Sequence, residues 1–330
     1  AMSRRQFVSL LKQIAEDRKW VVRTLSHDWI IQVRDPSSGR QTTVFGYTFD
    51  VNPAAAVEVC KEKAATAQVL ESHGIAVIPH TVVLSPTMHM AADYIPAAGV
   101  WKDVQKFAEA YQHQVVLKSL KGTAGFDIFR ARSQKEVEAA VHLLFQKEYG
   151  LCMCPFKEIK DEYRVIMLLG EEKMVYRKQR STVIGDGVSS MGQLAAARMA
   201  EVAQVGDPKA IKQFAAAVAD IGVEDLAKVP AKGALVPVQW KHNLGHGAVA
   251  DHAVDSEMRS QLVALAKQVV GSIGMRFCSV DIVEVEGEGL MVMEVNSGVM
   301  MDHFMAQLGP EGGAALARSV YEPALEQGMR

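Results

Sequence analysis

The sequence predicts an α/β (α+β) protein in which two α+β subdomains follow a small N-terminal α/β unit. The chain has 330 residues, 49% of them hydrophobic and 22% charged, which is enough apolar material for a core larger than one small module. Segments with the helical period alternate with short apolar strands. Several strands also meet at Gly-rich turns, which is typical of hairpins.

The N-terminal unit is predicted over residues 1–60. A helical pattern covers residues 4–18, and alternating strands cover 29–34 and 42–47 on either side of a Pro-Ser-Ser-Gly turn. This unit is too short to be stable alone.

The first subdomain is predicted over residues 61–157. A helical pattern runs from residue 54 to residue 73 and ends at Gly74. Strands are predicted at 75–78, 82–84, 115–117 and 127–130, and helices at 98–111 and 134–148.

The second subdomain is predicted over residues 158–330. Its strands at 163–169 and 173–177 form a hairpin, and those at 278–283 and 290–295 form another. Helices are predicted at 191–202, at 256–273 and within 309–330, and residues 203–236 read as helical and surface-facing.

Composition argues against several partner classes. Lys and Arg total 36 against 38 Asp and Glu, and no segment concentrates basic residues, so nucleic acid is not an expected partner. Apolar runs stay short of the 18 or so residues of a membrane helix, and no secretory signal is evident. The four cysteines do not form a disulfide framework, which predicts buried thiols and a cytoplasmic location.

A phosphate-binding loop is one interpretation of the segment after the strand at 115–117. Lys118 stands at the strand end, and the small residues Gly122, Thr123 and Gly125 follow it, so backbone N–H groups are able to approach an anion there. An ordinary hairpin is an equal alternative. The segment lacks the Walker A pattern.

Three oxygen-bearing side chains predict a magnesium site. Glu294 and Asn296 lie two apart on one strand and share a face, and Asp281 lies on the preceding strand of the hairpin. Carboxylate and amide oxygens set among apolar residues are typical of a site that binds Mg²⁺ together with nucleotide phosphates. A purely structural role is the weaker alternative.

Charged residues also line the hairpin at 158–180. Glu158, Glu162 and Arg164 lead its first strand, and Lys178 and Arg180 end the second. The cations are candidates for neutralising phosphate charge, although composition alone favours solvated strand edges.

These motifs, in this order, resemble the ATP-grasp superfamily over residues 61–304. The likeness is greatest to cyanophycin synthetase and to the ATP-grasp region of bifunctional glutathione synthetases. It rests on Glu162-Tyr-Arg-Val, Val183-Ile-Gly-Asp-Gly, Val229-Pro-Ala-Lys-Gly, Asn243-Leu-Gly-His-Gly and Val280-Asp-Ile-Val. The resemblance implies a carboxylate–amine ligase that forms an acyl phosphate and releases ADP and phosphate.

The resemblance also implies roles for individual residues. Lys63, Lys118 and the loop at 122–125 would hold the phosphates of ATP, residues Phe156, Lys157 and Glu158 the adenine, and Glu162 the ribose. Asp281, Glu294 and Asn296 would bind Mg²⁺, with Mn²⁺ as a second candidate. Catalytic roles fall to Arg164, Lys178, Arg180 and Asn243.

Amino acids or short peptides are the implied substrates, and a homo-oligomer is a candidate state. The chain departs from the family pattern at Ser279, at Phe126-Asp127 and at Ser297-Gly298, which affects substrate identity rather than ATP binding. A small-molecule kinase and an inactive nucleotide-binding regulator are the alternative functions.

Overall fold

A computed structural model describes residues 5–85, 101–120, 127–205, 211, 214, 215, 218 and 221–330. The mixed α/β class that the sequence predicts is confirmed. The chain forms two compact units, and the predicted domain boundaries at residues 60 and 157 stay a prediction. The first unit comprises Ala1–Val175, Asp255–Met300 and Ala315–Arg330, and the second comprises Tyr176–Val254 and Met301–Ala314.

The first unit begins with a helix and a four-stranded antiparallel sheet. These elements are α1 (Gln6–Asp17), β1 (Val21–Leu25), β2 (Ile30–Arg34), β3 (Gln41–Phe45) and β4 (Thr48–Phe49), with the strands in sequence order. The sequence interpretation omitted β1. Phe7 and Phe49 pack on Tyr321 near the C-terminus, at ring-centroid distances of 4.9 and 5.7 Å, so this small unit shares a core with the rest of the first unit.

Two helices follow where the sequence predicts one. α2 (Ala54–Lys61) and α3 (Lys63–Ser72) are separated by Glu62, whose backbone is extended (φ −113°, ψ 113°). The buried Thr66 hydroxyl donates to the Val59 carbonyl at 2.8 Å, which provides a partner for a carbonyl at the end of α2. This contact between the helices is invisible to a periodicity argument, so the single helix predicted over 54–73 is wrong.

The next sheet has the order β5-β8-β6-β7. Its strands are β5 (Thr81–Leu84), β6 (Val115–Ser119), β7 (Ile128–Ala131) and β8 (Gly150–Pro155), and its helices are α4 (Trp101–Ala110) and α5 (Gln134–Phe145). The sequence interpretation missed β8. The strand predicted at 75–78 is also wrong, since only an isolated bridge joins Val77 to Val292 there.

A second antiparallel sheet of the first unit holds β9 (Ile159–Leu168), β14 (Phe277–Val285) and β15 (Gly289–Asn296), with β14 in the middle. α8 (Ser256–Ile273) packs on β9 and β14. Asp255 caps this helix by accepting from the Met258 N–H at 2.9 Å, and Gly274 ends it at φ 80°.

Strand β10 (Glu171–Gln179) begins in the first unit and ends in the second, where it pairs with β13 (Val249–Asp251). The second unit also contains a two-stranded sheet of β11 (Thr182–Ile184) and β12 (Leu235–Pro237), and the helices α6 (Met191–Val205) and α7 (Val223–Leu226). Because β12 falls within residues 203–236, that segment is not helical throughout. The final helix α9 (Asp302–Gly328) is interrupted at Gly309 (φ 79°, ψ 171°).

None of the helices formed by the described residues is long and apolar enough to cross a membrane.

Candidate functional site

The β14–β15 hairpin places the three predicted metal ligands on one face. Asp281 lies directly opposite Glu294, and Ser279 lies directly opposite Asn296. Directly opposed residues share a face, as do residues two apart on one strand. A bulge after Asp281 leaves Met293 as the extra residue, and bulges redirect neighbouring side chains.

Arg164 on β9 forms a two-pronged ion pair with Asp281. Its Nε donates to Oδ1 at 2.7 Å and its Nη2 donates to Oδ2 at 2.6 Å. Asn296 Nδ2 lies 3.5 Å from the same Oδ2. Asp281 is only 4% exposed, so this charge is buried and neutralised by arginine.

The donor set on this face fits a magnesium ion. Mg²⁺ is commonly bound by one or two carboxylates, with waters and substrate phosphates completing its shell. Asp281, Glu294 and Asn296 supply two carboxylates and one amide. No cluster of three or more His, Cys, Asp or Glu side chains suited to a metal occurs among the described residues, so phosphate or water oxygens would have to complete the coordination.

The sheet of β5, β8, β6 and β7 packs one face against helices and carries Lys118 on the other. Leu117 and Met153 belong to a buried cluster on the helical side. Lys118 pairs with Cys152, and Val116 with Cys154, so Lys118 and both thiols point away from that cluster. Lys118 is only 6% exposed.

Electrostatics connect Lys118 to the acidic face. Burial alone lowers the pKa of Lys118, but interactions with Cys154, Cys152, Glu294 and Glu162 outweigh it, and the pKa is raised above 10.5. Burial raises the pKa of Cys152 to about 12, so this thiol is uncharged at neutral pH. Glu294 and Glu162 are the carboxylates among these groups, so Lys118 interacts electrostatically with the sheet that carries the acidic face.

Lys63 joins this group from the start of α3. Together with Lys118, it lowers the pKa of His80, after burial as the larger cause. Burial raises the pKa of the Cys154 thiol, and Lys118 and Lys63 lower it. Burial is the larger effect there, so the pKa of Cys154 is raised overall. Because the extended backbone at Glu62 ends α2, Lys63 is the first residue of α3.

The predicted adenine-binding segment follows β8. The Phe156 N–H donates to the Gln114 carbonyl at 2.8 Å, and the Arg130 guanidinium carbon lies 3.4 Å from the centroid of the Phe156 ring. Lys157 pairs with Glu288 at 2.6 Å. Arg130 therefore covers the ring that the sequence assigns to adenine, a cation–π contact that the sequence interpretation missed.

Backbone pairing anchors the remaining residues of this segment. The Glu158 carbonyl accepts from the Glu286 N–H at 3.1 Å, and Glu162 lies opposite Val283 in the β9–β14 pair. Gly122, Thr123 and Gly125 lie outside the described residues.

The second unit positions the other predicted residues. Lys178 is 5% exposed, and its carbonyl accepts from His242 Nδ1–H at 2.9 Å. The adjacent Asn243 uses its side-chain oxygen to accept from the Gly245 N–H at 2.8 Å, which caps a short 3₁₀ turn. This arrangement brings Asn243 close to Lys178 in the fold, and Arg180 follows β10 as a half-buried residue.

Gly245 in that turn has little space around it. A Cβ atom there would lie 3.3 Å from Nε2 of His303, which is close enough to require a shift. His303 therefore lies beside the Asn243 turn.

The sequence matches no protein-family model and no curated protein. Among solved structures, it is similar to D-alanine–D-alanine ligase from Bacillus anthracis, with a TM-score of 0.51 and 11% identity over 84% of this chain and 68% of that one. It is also similar to a bifunctional glutathione synthetase from Pasteurella multocida, with a TM-score of 0.50 and 16% identity over 97% of this chain. The chain spans only 43% of the length of that synthetase.

Proposed function

The chain has the ATP-grasp fold, as its motifs predict, and on that fold we propose that it is an ATP-dependent ligase. The reaction would join a carboxylate to an amine of amino acids or short peptides through an acyl phosphate. ADP and inorganic phosphate would be the other products. Four buried free thiols support a reducing, cytoplasmic setting for this activity.

One observation carries the proposal. A buried, charged Lys118 on β6 interacts electrostatically with Glu294 on β15 and Glu162 on β9, in the sheet whose acidic face also carries Asp281 and Asn296. Cations and carboxylates brought together in a buried site suit a reaction in which phosphate charge builds up and is transferred.

The names of similar structures support the same class. One of them is a D-alanine–D-alanine ligase, which has also been crystallised in complex with ATP. The ATP complex has a TM-score of 0.50 and 11% identity to this chain, over 84% of this chain and 70% of the ligase. The other is a glutathione synthetase.

The reaction has two bond-changing steps. A carboxylate oxygen attacks the terminal phosphorus of ATP, the bond from that phosphorus to its bridging oxygen breaks, and ADP leaves. The amine nitrogen then attacks the acyl carbon, the bond from that carbon to the phosphate oxygen breaks, and the amine loses a proton. Lys63 and Lys118 would neutralise phosphate oxygens in the first step.

Asp281, Glu294 and Asn296 would hold Mg²⁺, or Mn²⁺ in its place. When bound there, such an ion would supply positive charge against the phosphates of ATP. Arg164 holds Asp281 in place through both carboxylate oxygens and adds a positive charge beside the phosphates.

The remaining candidate residues keep the roles that the family resemblance implies. We assign the acyl phosphate or the tetrahedral oxyanion to Lys178 or Arg180, and the terminal phosphate to Asn243. Support for Lys178 is its burial at the end of β10 beside the Asn243 turn.

Product analysis tests the proposal. The protein is incubated with MgATP and panels of amino acids and dipeptides, ADP and free phosphate are quantified, and products are identified by mass spectrometry. We expect ADP and phosphate in equal amounts with a condensed product. ADP without free phosphate would replace the ligase with a kinase, and no ATP turnover with any substrate would favour a regulatory role.

Two matched variants test the site. Glu294→Gln removes a proposed metal carboxylate, and turnover should fall by more than about 100-fold, the upper end of what losing an outer-shell partner of a metal site costs. Glu284→Gln, in the same hairpin, removes the charge that pairs with the exposed Lys160 at 2.8 Å, outside the proposed metal site, and should retain turnover. Equal activity of both variants would remove Glu294 from the metal site.

A further inference from the structure

One buried histidine near the start of β5 has no role in the proposed chemistry. His80 directly precedes β5, whose first residue Thr81 pairs with Met153, so continuing this register places His80 beside Cys154. By strand alternation it lies on the face of the sheet that carries Lys118. His80 is 7% exposed.

The hydrogen bonding of His80 determines which nitrogen carries the proton. Nδ1 lies 2.6 Å from the Ile78 carbonyl, which is an acceptor, so Nδ1 must donate. Burial, Lys118 and Lys63 lower the pKa of His80 well below 6.5, so the ring is neutral at pH 7. Nε2 therefore presents a lone pair.

That lone pair is buried and has no hydrogen-bond partner among the described residues. A buried acceptor without a donor costs about 1–3 kcal/mol, so such an atom in a native site calls for an explanation. A ligand that supplies an N–H or O–H at this position would remove the cost.

The surroundings restrict what that ligand group is. The positive charges of Lys118 and Lys63 act on His80, so they also disfavour a cationic amine at this position. Phosphate and carboxylate oxygens are acceptors and would oppose the Nε2 lone pair. An uncharged donor attached to a flat ring is favoured, because Cys154 and Val82 give this face an apolar surface beside His80.

We propose that His80 Nε2 accepts a hydrogen bond from the exocyclic amine of adenine and thereby selects ATP over nucleotides with a carbonyl at the same ring position. The inference rests on the proposed function, since it takes ATP as the ligand. A purine with a carbonyl at position 6 would place an acceptor against Nε2 of His80, which is also an acceptor. Both the affinity for ATP and the selectivity for adenine therefore depend on Nε2.

Binding without turnover tests this selectivity. Dissociation constants for ATP and inosine triphosphate, whose base carries a carbonyl in place of the amine, are measured with Mg²⁺ and no carboxylate substrate. We expect the wild-type protein to prefer ATP by about 10-fold or more, in line with the cost of one unpaired buried group. In His80→Phe the preference should fall towards 1, and in His80→Gln, whose amide also donates, inosine triphosphate should gain affinity.

Controls separate the possible failures. His142→Phe changes an exposed histidine on α5 and should keep the wild-type preference. Lys118→Ala should weaken both nucleotides alike. Purine riboside triphosphate lacks any group at the amine position, and the unaltered protein should bind it about 10-fold more weakly than ATP, a measurement that needs no variant.

Equal affinities of the unaltered protein for ATP, inosine triphosphate and purine riboside triphosphate would overturn the role of His80 and leave the ligase proposal standing. An unchanged ATP preference in folded His80→Phe would do the same. Failure to bind any of the three nucleotides would overturn the proposed function and the inference with it.

Discussion

Replacing Arg164 by methionine leaves the buried Asp281 carboxylate without its counter-charge. Both carboxylate oxygens are paired with this arginine, at 2.7 and 2.6 Å, and the side chains are 17% and 5% exposed. Methionine has a volume similar to that of arginine but carries no charge and no hydrogen-bond donor. The change therefore removes the ion pair and leaves most of the packing in place.

The structure gives the size of the effect. Breaking a buried pair by removing one partner costs about 3–5 kcal/mol, because the remaining charge stays desolvated. Glu294 lies directly opposite Asp281, so removing Arg164 also leaves two carboxylates on one face without that positive charge. We therefore expect the free energy of unfolding to fall by about 3–5 kcal/mol.

Urea unfolding in EDTA, followed by circular dichroism, measures this loss. The cycle of Arg164→Met, Asp281→Asn and the double variant isolates the coupling between the two side chains. Because the same face is the proposed magnesium site, added Mg²⁺ should restore stability to Arg164→Met more than to the wild type.

The exposed pair of Arg259 and Glu172 is the control. Its contact is 2.7 Å, but its side chains are 49% and 19% exposed, so Arg259→Met should cost less than about 1 kcal/mol. A loss of under 1 kcal/mol in Arg164→Met, or a coupling energy no larger than that of the control pair, would refute the reasoning.

Three further predictions concern other parts of the fold. All four cysteines are buried, and burial raises the pKa of Cys60 and Cys152 to about 12, so a thiol reagent should modify none of them in the native protein and all four in denaturant; rapid native labelling would contradict this. Gly185→Ala should destabilise the second unit by about 1–3 kcal/mol in the same urea assay, because the new Cβ would lie 2.3 Å from the Ala231 carbonyl oxygen. The control is Gly271→Ala in α8, where a Cβ contacts no other atom within 4 Å, and this change should be neutral or stabilising. The pKa of His80 lies below 6.5 in the folded chain, so below pH 6.5 the unfolded chain binds a proton that the folded chain does not. As the pH falls, the free energy of unfolding of the wild type should therefore decrease relative to that of His80→Phe, by up to about 1.4 kcal/mol per pH unit. Parallel pH profiles of the two proteins would contradict the low pKa of His80.

Elements that are specified by residues close together in the sequence could be predicted from the sequence. The β14–β15 hairpin follows from two apolar alternating segments around Gly287 and Gly289, and both glycines adopt positive φ in the structure (75° and 85°). Once the hairpin is assigned, alternation alone places Glu294 and Asn296 on one face. Helix α8 was predicted with its bounds for the same reason, since its periodic stretch is contiguous and ends at Gly274.

Features that depend on burial were missed. All six residues of β8 are buried, so the strand has no alternating polar face to reveal it, and Pro155 at its end favours a loop interpretation. A single histidine after Pro79 carries no periodic signal either. Its importance arises only when β5 pairs with β8 and removes the ring from water.

The role of Arg164 shows why sheet order matters more than motif content at this site. The sequence suggested a cation for phosphate, on the strength of its position in a charged strand. Arg164 and Asp281 are 117 residues apart and meet because β14 lies between β9 and β15, an order that no local pattern specifies. The same arrangement makes the arginine part of the acidic face before any nucleotide binds, so its charge first stabilises Asp281 in the fold. A change at Arg164 should therefore alter stability as well as the proposed activity, whereas a residue that contacts only phosphate would alter the proposed activity alone.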